Sequence, residues 1–268
     1  MKRLFSLLFL VSALAGCVTT NTIQYTQLNP LPSQKPKEVS LIINTYPLKT
    51  PSPTVIYAHG CSGLDGAYLD WKNKLNGWGY NVVQPDSLRS RGSNSACKAN
   101  SVGNVTHNDR LEDVLKTAEW VKKQPWHKGK IGVIGFSQGG MAALNLSANG
   151  GTLYAYTAET PRDVYKNTNI SAAVAYYPYC QPDHVKAKIP TLILVGESDD
   201  WTPPFYCHHL PKENPNIELK IYPGVHHSFD TPGLNQINRY GYMIKYDTDA
   251  AEDAEKRTKT FFEKYLKN

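Results

Sequence analysis

Two periods of apolar residues alternate along this chain. Short apolar runs at Val39–Ile43, Thr54–Ala58, Tyr80–Val83, Lys130–Phe136, Ser171–Tyr176, Thr191–Val195 and Ile217–Tyr222 predict strands, most of them buried. Pro85 is expected to stop the third of these, and His59-Gly60 to break the second. Helical spacing fills Leu69–Trp78, Gly139–Ser147 and the stretch from Ala250 to Leu266. A further helix, capped by Asn108 or Asp109, runs to Lys123 with Leu111, Val114, Leu115, Ala118 and Val121 on one face. Strands alternating with helices of this length predict an α/β fold, a mostly parallel sheet covered on both faces. Residues 148–169 and 230–249 fit no element and are long for structureless loops, so they are expected to form a cap or pocket wall.

The N-terminal end follows another rule. Lys2 and Arg3 precede the apolar run Leu4–Ala15, which is too short to span a bilayer and reads as a signal peptide over residues 1–16. Ala13-Leu14-Ala15 fits an ordinary secretory cleavage site, whereas Leu14-Ala15-Gly16-Cys17 resembles the lipobox of bacterial lipoproteins, in which Cys17 carries the lipid. Val18 after that cysteine resembles the outer-membrane default. The expectation is a protein of the bacterial cell envelope, lipid-anchored on the outer membrane and facing the periplasm. Residues 17–37, polar and carrying Pro30, Pro32 and Pro36, read as lipidated Cys and tether, within which Thr22–Leu28 alternates enough for an edge strand. The remaining domain is 38–268.

Composition narrows the function classes. The 268 residues are 41% hydrophobic and 19% charged, which excludes a disordered chain and a polytopic membrane protein and leaves room for one large core. The net charge of +6 is spread without a basic stripe, so no nucleic-acid partner is expected. With Cys17 lipidated, Cys61, Cys97, Cys180 and Cys207 remain, an even number that suggests two disulfides with three possible pairings.

The chemistry concentrates at strand ends. Gly135-Phe136-Ser137-Gln138-Gly139-Gly140 lies between an apolar strand and a helix of small residues, where a nucleophile elbow presents its Ser at the sheet edge. Asp199 follows the Thr191–Val195 strand and His227 follows Ile217–Tyr222, in the order Ser, acid, base that a hydrolase triad of this topology requires. His227 would move the proton of Ser137, and Asp199 would hold the imidazole. His59-Gly60-Cys61-Ser62-Gly63, after Thr54–Ala58, offers the backbone N–H of Cys61 to an oxyanion, with that of Gln138 as the second donor. His59 itself reads as structural. Adjacent pairs His208-His209 and His226-His227 lack metal-ligand spacing, so no metal and no cofactor is expected.

Residues 38–268 resemble the dienelactone hydrolase family of α/β-hydrolases through His-Gly-Cys-x-Gly, Gly-Phe-Ser-Gln-Gly-Gly, Gly-x-x-Asp-x-x-Thr-Pro and Gly-x-His-His-Ser-Phe. The resemblance favours Asp199 over Asp200 and His227 over His226, and implies an α/β-hydrolase fold acting on small esters or lactones. One departure is Ser137, where the founding enzymes carry Cys. Arg89 and Arg91 lie on a loop similar to one that reaches the family's substrate carboxylate. The strand assignments also bring Cys61 near Cys97 and Cys180 near Cys207, each pair on loops after neighbouring strands. Two other readings share these residues: a small peptidase of the prolyl or acyl-peptide type, and a non-catalytic envelope binding protein that keeps the hydrolase fold.

Overall fold

The computed structural model describes residues 18–27, 37–64, 67–97, 105–148 and 169–268. The expected signal peptide and lipidated Cys17, most of the proline-rich stretch and nearly all of 148–169 lie outside the described residues. Eight strands form one sheet: β1 (Thr19–Gln27), β2 (Lys37–Tyr46), β3 (Ser52–Ala58), β4 (Asn81–Asp86), β5 (His127–Phe136), β6 (Ile170–Tyr176), β7 (Thr191–Gly196) and β8 (Ile217–Tyr222). Their order is β1-β2-β4-β3-β5-β6-β7-β8. The two outer pairings, β1 with β2 and β2 with β4, are antiparallel, and every other pairing is parallel.

The alternation within each central strand divides the core. Ile56, Val133, Ala173 and Ile193 point to the layer of α2 (His107–Val121) and α3 (Gln138–Ser147). Val55, Ile134, Val174 and Leu194 point the other way, toward α1 (Ala67–Gly77) and α4 (Thr248–Phe262). Because both faces are covered, these strands read as continuous apolar runs rather than as alternating ones.

Three sequence expectations are corrected. The edge strand expected over Thr22–Leu28 is present as β1 but begins earlier, at Thr19, and it pairs with β2 over its whole length, so the sheet takes in residues read as tether. An edge strand with one open face carries little apolar signal, and only Ile23 and Tyr25 of β1 pack on the core. Helix α2 is capped by Thr106, not by Asn108 or Asp109: the Thr106 hydroxyl accepts from the Asp109 N–H at 3.2 Å, and the Asp109 carboxylate returns to the Thr106 N–H. Finally, β4 passes through Pro85 to Asp86. Its ladder to β3 ends at Val83, so the missing N–H breaks no bond to that strand.

Residues 230–249 carry a small hairpin, β9 (Asn235–Ile237) with β10 (Met243–Lys245), apart from the main sheet. It is fastened to the loops beneath it. Lys245 N–H donates to His227 O at 3.1 Å and Asp247 N–H to Phe229 O at 3.0 Å.

Candidate active site

The parallel strands β3, β5, β7 and β8 end on one edge, and each delivers a candidate group there. After β5 the chain turns sharply into α3. Ser137 occupies that turn with φ 54° and ψ −116°, a conformation an L-residue adopts only when its surroundings enforce it. The enforcement is close packing. A Cβ on Gly135 would fall 2.0 Å from Gly139 O, and one on Gly139 would fall 2.0 Å from Ala58 O. Ser137 N–H donates to Tyr176 O at 3.0 Å, which ties the turn to β6.

His227 and Asp199 meet directly: Nδ1 lies 2.7 Å from Oδ2, with both residues buried. The second carboxylate oxygen, Oδ1, accepts the Trp201 and Thr202 amides at 3.0 and 2.8 Å. The Thr202 hydroxyl is 2.8 Å from Asp199 Oδ2 and 3.1 Å from His227 Nδ1, so it caps the contact between them. The imidazole is flanked by the rings of Tyr177 and Trp201, at centroid distances of 4.5 and 5.0 Å. Among the described residues Ser137 Oγ has no hydrogen-bond partner. It shares with His227 a cavity of about 1050 Å³, also lined by Tyr57, Phe136 and Tyr177. A nucleophile–base bond of this kind often tightens only in the substrate complex.

The turn after β3 completes this edge. Gly60 and Cys61 line the cavity beside Ser137, and among the described residues neither the Cys61 nor the Gln138 amide N–H has a partner. Cys61 is bonded to Cys97, and Ala96 N–H donates to Cys61 O at 2.8 Å. Gln138 Nε2 in turn donates to Ala96 O at 2.9 Å, so one short loop ties together the two residues whose amides are unpaired among the described residues. Cys180 is bonded to Cys207.

The two arginines taken from the family pattern are elsewhere. Neither Arg89 nor Arg91 lines the cavity. Arg91 is buried, bonded to both Asp113 oxygens at 2.8 and 3.1 Å and to the Tyr25 hydroxyl at 3.0 Å, and so joins β1 to α2. Arg89 lies mostly in solvent, paired with Asp86. Both lie on a one-turn 3-10 helix over Arg89–Arg91.

Other residues line or support the site without a sequence signal. Asp230 accepts from Trp71 Nε1 and the Tyr177 hydroxyl, each at 2.7 Å, and burial pushes its carboxyl above the usual range against those bonds. The hairpin brings Ile237, Arg239, Tyr240 and Ile244 to the cavity wall, with Trp201 stacked on Tyr242 at 5.4 Å. Asp200, the rejected alternative to Asp199, accepts the Met243 N–H at 3.1 Å instead. Thr202 could have been found: it is the Thr of the Asp-x-x-Thr-Pro motif. Arg110, which reaches the His59-Gly60 turn from α2, could not, because that contact crosses fifty residues of chain.

A mostly parallel sheet, with Ser, Asp and His residues delivered to its carboxyl edge in this order, defines the α/β-hydrolase class. The chain's residues 42–266 match the dienelactone hydrolase family, and the chain belongs to that family of hydrolases. A curated relative described as a carboxymethylenebutenolidase, from Saccharolobus solfataricus, is 27% identical over 165 residues, which span 60% of this chain and 54% of the relative. The fold is similar to that of a protein described as a dienelactone hydrolase from Klebsiella pneumoniae, with TM-score 0.63 and 19% identity, covering 93% of this chain and all of that one. It is also similar to a dienelactone hydrolase-like promiscuous phosphotriesterase from metagenomic libraries, with TM-score 0.66 and 16% identity, covering 94% of this chain and all of that one.

Proposed function

We propose that this chain is a serine hydrolase that cleaves carboxylic esters or lactones through an acyl-enzyme on Ser137. The observation that carries the reading is the strained Ser137 turn opening onto the same cavity as the buried His227–Asp199 pair. His227 Nε2 takes the Ser137 proton as Oγ attacks the carbonyl carbon, while Asp199 fixes Nδ1–H and stabilises the imidazolium. The oxyanion receives the Cys61 and Gln138 N–H groups, the latter at the positive end of α3. Collapse breaks the ester C–O bond, and His227 returns the proton to the leaving alcohol. Water then attacks the acyl carbon, losing its proton to His227, and the carboxylic acid leaves as Ser137 is reprotonated. With a lactone, the alcohol and acid are two ends of one product. No step calls for a cofactor.

The test is hydrolysis of p-nitrophenyl esters from acetyl to dodecanoyl by the full chain beside Ser137→Ala. Activity that vanishes in the variant is the expected result. Turnover that survives it overturns the serine mechanism.

We further propose that Cys17 carries lipid and anchors the enzyme in the bacterial envelope, on the outer membrane facing the periplasm. Two disulfides support an oxidising compartment. No described helix is long and apolar enough to cross a membrane. Labelling with radioactive palmitate, lost in Cys17→Ser together with membrane fractionation, is the expected outcome. A soluble, unlabelled wild-type chain would refute it.

A further inference from the structure

We propose that Arg110 is a positioning residue of the oxyanion hole: by holding the Gly60 carbonyl it aims and polarises the Cys61 N–H. The inference rests on the serine hydrolase reading. The Gly60 C=O and the Cys61 N–H are two ends of one trans peptide group, so they point in opposite directions. Fixing the carbonyl on the protein side turns the N–H outward, and Gly60 and Cys61 both line the cavity.

The carbonyl is held from three sides. Gly63 N–H donates to Gly60 O at 3.2 Å, His59 Nδ1 lies 2.7 Å away, and Arg110 Nη2 donates at 3.2 Å. The same guanidinium nitrogen donates to the carbonyl of His59. Donors on a carbonyl withdraw charge through the peptide and strengthen its N–H as a donor, and the strengthening is larger in a dry interior. A cation does this more than a neutral group. His59 contributes as a neutral ring, its pKa driven down by burial and by the Arg110 charge.

Stability does not account for Arg110. Its side chain is buried, and among the described residues no carboxylate lies within ion-pair distance and Nε and Nη1 have no hydrogen-bond partner. A buried guanidinium so incompletely paired is costly, and a well-packed apolar side chain in its place is often neutral or better. Among the described residues, the guanidinium donates only to the carbonyls of His59 and Gly60.

The test uses the full chain with Arg110→Met and Arg110→Lys, read by ester kinetics and by affinity for a trifluoromethyl ketone, whose adduct with a serine bears an oxyanion. Met removes the charge and both donors, whereas Lys keeps a charge that cannot span two carbonyls. For Arg110→Met, kcat is expected to fall about 10- to 100-fold with KM within about twofold, less than the loss of a whole oxyanion donor. Ketone affinity should fall in step, with Arg110→Lys intermediate and thermal stability not reduced in parallel. A folded variant of either kind that keeps wild-type kcat and ketone affinity overturns the inference, and Arg110→Lys decides it if Arg110→Met does not fold. Turnover that survives Ser137→Ala overturns the serine reading, and this inference with it. Loss in Ser137→Ala alongside undiminished Arg110 variants overturns this inference alone.

Discussion

His227 Nδ1 and Asp199 Oδ2 lie 2.7 Å apart, shielded from solvent and capped by the Thr202 hydroxyl. The contact fixes which imidazole nitrogen carries the proton, leaving Nε2 to face the cavity. Asp199→Asn should preserve the packing and lower kcat by about 10⁴-fold, since an amide can select the wrong tautomer. Steady-state kinetics beside an unchanged circular dichroism spectrum would check this; a loss below tenfold would remove Asp199 from the mechanism.

The neighbouring carboxylate has a separate task. Asp200 accepts from Met243 N–H and so holds the hairpin that forms one cavity wall. Asp200→Ala should therefore change KM and the chain-length profile for long acyl groups, with kcat for acetyl esters nearly unchanged. Asp200→Asn, which keeps an acceptor oxygen, should restore most of the profile. An acetyl-ester kcat as low as that of Asp199→Asn would contradict this division.

The two disulfides should separate function from stability. In the proposed mechanism Cys61 supplies an oxyanion donor, and it is tied to Cys97, so Cys61→Ser with Cys97→Ser is expected to lower kcat before the domain unfolds. Replacing the Cys180–Cys207 pair should cost about 2–4 kcal/mol of stability and leave kcat per folded molecule intact. Denaturant titration with active-site counting distinguishes the two. Equal effects on both quantities would refute the assignment.

Arg91 is expected to matter for folding rather than for substrate. Removing it leaves the buried Asp113 carboxylate with the Tyr25 hydroxyl but without its cation, so Arg91→Ala should destabilise the domain by about 3–5 kcal/mol while KM of the folded fraction stays constant. Arg89→Ala, at an exposed position, should change neither. A specific rise in KM for anionic esters in either variant would return that arginine to the pocket.

Acid should weaken the fold partly through His184. Its Nδ1 accepts the Gln181 N–H and Nε2 lies 3.1 Å from Asn145 Oδ1, and burial lowers its pKa from 6.5 to about 4. Between those values the unfolded chain binds the extra proton, so this contribution is intact above pH 6.5 and lost as pH falls to about 4. At most about 3 kcal/mol follows from a shift of that size. Urea midpoints of wild type and His184→Gln should converge over that window; parallel curves would exclude the residue.

Much of this was legible in one dimension because it depends on local periodicity. The apolar runs of β3, β5 and β7 are continuous since both sheet faces are covered, and the Gly-x-Ser-x-Gly turn is spelled out by glycines the backbone cannot do without. Ser137, Asp199 and His227 could be placed on the carboxyl edge of the sheet from sequence because each lies within five residues after a strand, β5, β7 or β8. Other features needed distant segments to meet. The alternation over Thr22–Leu28 marked an edge strand but not the strand it pairs with, and Arg91 shows its role only once Asp113 and Tyr25 surround it. The hairpin over residues 235–245 has its position from bonds to the His227 and Asp200 loops rather than from its own sequence. Arg110 is the clearest case: a charged residue within an otherwise ordinary helix, given its task by a carbonyl that the fold brings to it.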